Sequence, residues 1–226
     1  MLDFHGSCPY TFSMAEKHVN YFALEKACEK DGCPLCRIIE ERIDRYIDGM
    51  LFEHISDRTF RAQYREAGGF CADHAKKLLT YRDGLAVAIL GNETLGGYIE
   101  DFKKRKMRVY KKPCPACAER TRIEKEFLSF IAEAHDDAAA DADLHAFFCR
   151  SDGLCVSHYA RLVRLSGRRI PEWLSEFQEA RFSSLYERTK RFIDCSAWGK
   201  QKEFAALPEA DKVVWKELAA SLRGEF

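Results

Sequence analysis

Two copies of a cysteine–histidine signature carry the chemistry of this chain. The first is Cys33-Pro-Leu-Cys36 followed by Cys71-Ala-Asp-His74; the second is Cys114-Pro-Ala-Cys117 followed by Cys155-Val-Ser-His158. Each copy supplies three thiolates and one imidazole, the donor set of a tetrahedral Cys3His metal centre. The offset between copies is 81 residues for the CPxC pairs and 84 for the CxxH pairs. A nearly constant offset over eight ligand positions marks an internal repeat. The spacing predicts one metal centre per copy. Cys33, Cys36, Cys71 and His74 would form the first, and Cys114, Cys117, Cys155 and His158 the second.

Three chemistries suit these donors. A closed structural Zn2+ site is favoured, because Cys3His without an open position is a common structural set. Three cysteines and a histidine can also hold an iron–sulfur cluster, which makes an electron-transfer protein with two clusters the chief alternative. The third is a metal-free dithiol, since Cys-Pro-x-Cys resembles a thioredoxin-type motif; it would make the chain a thiol-redox or metal-responsive regulator. No βαβ pattern surrounds either CxxC, and each is echoed by a CxxH, which weighs against that last reading. Cys8, Cys28, Cys149 and Cys195 do not repeat. Cys149 aligns with Arg65 and reads as a small buried hydrophobe. Cys28 could replace a ligand only after local rearrangement. Glu53, His54 and His135 fall near helix ends and read as surface or core-edge residues.

The elements that must position the ligands read as helices throughout. Ser13-Met-Ala-Glu16 has the form of a capping box for a helix reaching about Lys30. Pro34 stands at a first turn, where proline is tolerated. Leu35, Ile38, Ile39, Ile43, Tyr46, Ile47, Met50 and Leu51 then recur at three- and four-residue steps. Asp57 is an N-cap for a short helix with Phe60 and Tyr64, stopped by Gly68-Gly69. Cys71 opens the next helix, with Leu78, Leu79, Leu85, Ile89 and Leu90 on its apolar side and with Asp83-Gly84 and Gly96-Gly97 as points of interruption.

The second copy follows the same plan from Pro115, with Ile123, Phe127, Phe130 and Ile131. Its three extra residues fall in the acidic, alanine-rich stretch 135–143. Phe60 aligns with Leu144, Tyr64 with Phe148, Phe70 with Leu154 and Leu78 with Leu162, so the repeat reaches into the core pattern. A long helix from Pro171 and a last one from Pro208 lie outside the repeat. Paired residues at i and i+3 at a helix start share a face, so a CPxC at one start and a CxxH at another can enclose one ion.

Composition sets wide bounds. At 226 residues with 46% hydrophobic residues the chain can build a sizeable core. Lys and Arg number 36 against 36 Asp and Glu, so no overall field points to nucleic acid or membrane. No apolar run reaches 18 residues, and the first ten lack the basic-then-apolar order of a signal peptide; no membrane association is expected. Ten cysteines in a reducing cytoplasm read as ligands rather than as a disulfide framework. Between Lys103 and Lys112, seven of ten residues are basic. With two zinc-type motifs this run invites a nucleic-acid partner. A solvated helix face is the stronger reading, because aromatics are not interleaved with the charges.

The stretches Tyr21-Phe-Ala-Leu-Glu-Lys-Ala-Cys-Glu-Lys-Asp-Gly-Cys-Pro-Leu-Cys36, Leu51-Phe-Glu-His-Ile-Ser-Asp57, Phe70-Cys-Ala-Asp-His74 and Gly153-Leu-Cys-Val-Ser-His158 resemble a bacterial and archaeal family, domain of unknown function 6062. The resemblance covers about residues 15 to 165. It implies paired Cys/His clusters on a helical scaffold and brings no activity with it.

The sequence thus predicts an all-α protein of two pseudo-repeated helical units, each with a Cys3His site, plus C-terminal helices. The segments expected are 1–105 (first repeat), 106–168 (second repeat) and 169–226 (a helical extension packed on the repeats). The function expected is that of a cytoplasmic, zinc-binding interaction or adaptor protein with an unidentified protein partner. No Ser/His/Asp order, phosphate loop, HExxH or dinucleotide fingerprint supports an enzyme.

Overall fold

A computed structural model describes residues 13–106, 109–167 and 170–223, without the side chains of 13–18, 135 and 223. Cys8 and the side chains of His135 and of the capping box at Ser13–Glu16 therefore lie outside what is described. Among those described, every regular element is helical. The α-helices are α1 Ser13–Cys28, α2 Pro34–Gly49, α3 Arg58–Glu66, α4 Ala72–Leu78, α5 Gly84–Lys103, α6 Pro115–Glu133, α7 Ala138–Cys149, α8 Val156–Leu165, α9 Glu172–Cys195, α10 Gln201–Ala205, α11 Glu209–Lys212 and α12 Val214–Arg223.

Two compact units form: residues Met1–Ile38 with Glu126–Phe226, and residues Ile39–Lys125. This division follows spatial compactness rather than the sequence repeat. Its boundaries fall inside α2 and α6, and the C-terminal helices belong to the first unit.

In the first unit, α1 meets α7 through Tyr21 and Phe147, edge to face at 4.9 Å. The next layer is α9, whose Trp173 and Phe177 stand 6.1 and 6.3 Å from Phe148. Trp173 Nε1 also donates to Asp141 Oδ1 at 3.0 Å. α12 packs on α8 and α9. Arg188 of α9 ties down α11 and α12, at 2.7 Å to Asp211 and 2.7 Å to Glu217. The single helix expected from Pro208 is instead broken at Val213, into α11 and α12.

In the second unit, Ile39, Ile43, Ile47 and Met50 form a stripe buried to 5% exposure or less. Each such side chain contributes roughly 1.5–3 kcal/mol of apolar burial. Asp57 caps α3 as expected, accepting from Thr59 N–H at 2.7 Å. α3 packs on α5, with an Arg61–Glu93 ion pair at 2.7 Å. Asp83 caps α5 by accepting from Ala86 N–H at 2.9 Å, whereas Gly96-Gly97 leave that helix unbroken to Lys103. The helix opened by Cys71 is interrupted before Gly84, one of the two points of interruption expected, with α4 ending at Leu78 and α5 starting at Gly84. A 3-10 turn at Leu79–Tyr81 swings Leu79 and Leu85 outward, 67% and 74% exposed.

The two copies differ in two places. α7 has 12 residues to the 9 of α3, so the three extra residues lengthen that helix. After α2 the first copy makes a π-helical turn, Met50–His54, where the second copy continues α6 to Glu133 and ends in a 3-10 turn.

Candidate metal centres

All eight ligand residues occupy one kind of local position. Cys71 and Cys155 are the N-caps of α4 and α8, with φ −66 at both and ψ 170 and 161. Cys33 and Cys114 immediately precede α2 and α6, and their carbonyls accept from Arg37 and Ala118 N–H at 3.2 and 2.9 Å. The second residue of every pair then falls at the third helical position, on the same side as the first. Pro34 and Pro115 occupy the first helical position, where the missing N–H leaves no helical bond unmade. Each pair therefore presents two donor atoms at a helix N-terminus, where unpaired N–H groups and the dipole favour thiolate charge.

The structure regroups these pairs. One cluster is Cys33, Cys36, Cys155 and His158; the other is Cys71, His74, Cys114 and Cys117. The expected groupings, Cys33/Cys36 with Cys71/His74 and Cys114/Cys117 with Cys155/His158, are corrected: each CPxC meets the CxxH of the other copy. Donor type could not separate the two arrangements, because every CPxC and every CxxH brings the same atoms. Helix length does. α2 leads away from Cys36 over residues 37–49, about 20 Å at 1.5 Å per residue, while the nine residues of α3 cover about 13 Å.

Donor atoms within each cluster lie within 4.8 Å of one another. In the first, His158 Nδ1 is 3.3 Å from Cys33 Sγ, 3.4 Å from Cys36 Sγ and 3.3 Å from Cys155 Sγ. Cys36 and Cys155 Sγ are 3.9 Å apart. In the second, His74 Nδ1 is 3.2, 3.5 and 3.4 Å from the sulfurs of Cys71, Cys114 and Cys117. Cys71 and Cys117 Sγ are 3.7 Å apart. A tetrahedral ion with bonds of about 2.3 Å to sulfur and about 2.0 Å to nitrogen sets its ligands about 3.5–3.8 Å apart. Both clusters fit, and each can hold a metal ion.

Electrostatics within the clusters points the same way. Hydrogen bonds from the Cys33 and Cys36 thiols hold the Cys155 thiol far below its usual value, while the bond to Cys155 and then Cys33 push Cys36 far up. Crowded sulfurs disfavour one another's charge, and a bound cation would relieve that repulsion. Burial and then the Cys71 hydrogen bond raise Cys117 to about 12. Burial raises Cys71 as well, but the N–H groups of His74 and Asp73 and the neighbouring thiols outweigh it, so Cys71 lies below the ordinary thiol value. Burial, helped by Arg120, lowers His74 and keeps its imidazole in the neutral, ligating form.

Exposure differs between the clusters. Cys33, Cys155 and His158 are 3%, 2% and 4% exposed. Cys71, Cys114 and Cys117 are all partly exposed. Cys28 is buried and its thiol is pushed up to about 12, chiefly by that burial; it is not among the grouped donors. Cys149, expected to be buried, is exposed. The inward face of α7 is Leu144, Phe147 and Phe148, and Cys149 is one helical step of about 100° further round.

Two supporting residues carry no ligand atom. Gln178, fully buried on α9, accepts from Leu154 N–H at 2.9 Å and donates to Leu154 O at 2.9 Å, clamping the residue before Cys155. Gly153 beside it has φ +76, and an added Cβ would come within 3.0 Å of the Gln178 Oε1. Asp152 Oδ2 accepts from Gly32 N–H at 2.7 Å, which joins the loop before Cys33 to the loop before Cys155. Gln178 was detectable as a polar residue on the Leu174–Leu185 stripe of α9; Asp152 had no such signal. Gln178→Ala strands both backbone groups of Leu154 at a cost of about 3 kcal/mol. The expected result is a melting temperature lowered by several degrees, read by circular dichroism; an unchanged melt would remove Gln178 from the support of this centre.

Fold and site together define a helical protein with two paired Cys3His centres, each built from two helix N-termini. The chain belongs to the family of unknown function DUF6062, which matches residues 14–135. That match stops short of the CxxH at Cys155, whereas the expected resemblance ran to about 165. The chain is similar to an uncharacterized 23.9 kDa protein in the xynA 3' region of Caldicellulosiruptor sp. (strain Rt8B.4), 30% identical over 94 residues. That alignment covers 39% of this chain and 46% of the relative, so the chain spans about half the length of the relative it matches. No solved structure matches.

Proposed function

We propose that this protein is a zinc-binding helical interaction module whose two ions are structural. The observation that carries this reading is the closure of both donor sets: four soft or borderline ligands, all within 4.8 Å, with distances suited to one tetrahedral ion. Zinc fits best, because mixed thiolate–imidazole sets of this kind are typical of structural zinc and leave no position for substrate. An iron–sulfur cluster interposes several metal atoms and holds its ligands farther apart than one ion does, so these spacings favour zinc over the cluster.

Adaptor function is supported by apolar surface that the helices do not cover. Trp198 is 97% exposed, and Leu95, Ile99 and Phe102 share one face of α5 at more than 40% exposure each. A cytoplasmic location accords with eight ligand residues that bind metal only while their thiols stay reduced. No helix among the described residues is long and apolar enough to cross a membrane.

Elemental analysis of protein purified without chelator from its own host tests the reading. Two equivalents of zinc per chain and a colourless solution are expected. Iron with inorganic sulfide, and a brown absorbance near roughly 400 nm, would replace zinc with clusters.

A further inference from the structure

The zero net charge of the chain conceals a division between its units. Residues 39–125 carry 18 Lys and Arg against 14 Asp and Glu, while the rest of the chain carries 18 against 22. The basic unit also contains an open cleft of about 780 Å3, within the usual size of small-ligand sites. Its aromatic lining is Tyr46, His54, Phe60 and Tyr64. His54 stacks toward Phe60 at 6.0 Å with 30° between the rings, and Phe60 lies 6.4 Å from Tyr64. The cations at this cleft are Arg45, Lys112 and Arg122.

We propose that this cleft seats an unpaired nucleotide of a single-stranded nucleic acid. The base stacks on the aromatic group, and the backbone phosphates meet Lys111, Lys112 and the exposed cations at the end of α5. Three features of the unit support this assignment. First, the π turn Met50–His54 places His54 at the cleft, and the second copy has no such turn among the described residues. A π turn is an uncommon local structure that is frequently found at functional sites. Second, Lys103, Lys104, Arg105, Lys106 and Lys111 are exposed on the segment leading to the cleft, matching the spaced negative charge of a polynucleotide. Third, two of the cleft cations pair with exposed surface carboxylates, Arg45 with Glu41 and Lys112 with Glu66. Such exposed pairs are weak and can be exchanged for phosphate.

Stacking also explains why the strand must be single. Bases in a duplex are already stacked and cannot enter a concave aromatic site, whereas every unpaired base offers a π face. The aromatics that the sequence did not interleave with the charges line one cleft with Lys112, the last cation of the run. Pro113 and Pro115, on either side of the metal ligand Cys114, line the same cleft, so the metal centre and the binding surface share a wall.

The test uses the metal-loaded full chain, a fluorescein-labelled 12-residue oligouridylate, a duplex of the same length, and uridine monophosphate as competitor. The single strand is expected to bind, with affinity falling steeply as salt rises. Phe60→Ala is expected to weaken it about tenfold, the scale of one lost base stack. Replacing Lys103, Lys104 and Lys106 by serine is expected to flatten the salt dependence. Each variant is first checked for unchanged metal content and helicity; should Phe60→Ala fail that check, the more exposed His54→Ala takes its place. No binding at low salt, equal binding of the duplex, or full affinity in the folded cleft variant would overturn the proposal. Competition by the monophosphate as strong as by the oligomer would reassign the cleft to a free nucleotide. Metal content is read separately, so failure here leaves the zinc reading standing.

Discussion

Serine at both Cys33 and Cys155 is expected to cost the protein one metal ion, and serine at both Cys33 and Cys71 to cost it two. The first pair of positions shares a cluster and the second pair does not. A Cys3His centre missing one thiolate has lost a quarter of its ligands and much of its charge compensation, so a second loss in the same centre removes nothing more. Stability should follow the same pattern. Substitutions sharing one centre are strongly non-additive, whereas those in separate centres add. Cys149→Ala, exposed and outside both clusters, serves as the control and keeps both ions. If instead Cys33→Ser with Cys71→Ser left one ion, each copy would hold its own metal and the exchanged arrangement would be wrong.

This exchange marks where the sequence stopped being informative. Residue type picked out the eight residues that the structure gathers into two clusters, because thiolates and imidazoles at i and i+3 of a helix start share one side of it. Periodicity located the α2 stripe, the Asp57 cap and the long α9. Partner choice depended on how far each helix carries the chain, and that is a property of helix lengths and loop angles summed over dozens of residues. The exposed side of α7 was missed at Cys149 for a smaller reason: a single step around a helix separates core from solvent, and alignment with Arg65 pointed outward. The π turn was invisible because its residues, Met50 to His54, satisfy the same apolar spacing as an ordinary α-helical turn. Gln178 stood out as a polar residue on the Leu174–Leu185 stripe, but its type alone did not name the backbone of Leu154 as its partner.

The exchanged pairing also changes what the ions do mechanically. Had each copy closed on itself, each ion would have clamped a local hairpin. Instead, in the unit made of residues Met1–Ile38 and Glu126–Phe226, a bound ion would join a helix start at position 33 to another at position 155. In that unit the joined residues are far apart in sequence, so the ion closes a long loop whose entropy cost is large in the unfolded chain. Asp152 with Gly32, and Gln178 with Leu154, brace the same junction without metal. Residues 71 and 114 define a shorter loop in the other unit, closed by the more exposed centre.

Chelation is expected to have the largest effect of all. Apparent zinc affinities of structural sites correspond to about 10–16 kcal/mol at neutral pH, as much as the whole folding stability of an ordinary domain, about 5–15 kcal/mol. Stripped of ions, each cluster leaves three sulfurs and an imidazole crowded between two helix N-termini. A strong chelator should therefore act in two stages. The centre of Cys71, His74, Cys114 and Cys117, with three partly exposed sulfurs, empties first, and the unit of residues 39–125 loses its cooperative thermal transition. The centre with Cys33, Cys155 and His158 buried empties more slowly, since the chelator reaches it only through local opening. Metal release followed by a chromophoric indicator, alongside circular dichroism, reads both stages, and added zinc should restore the helical signal. A protein that lost both ions yet melted as before would show the ions to be bound passengers, and the fold to rest on its apolar stripes alone.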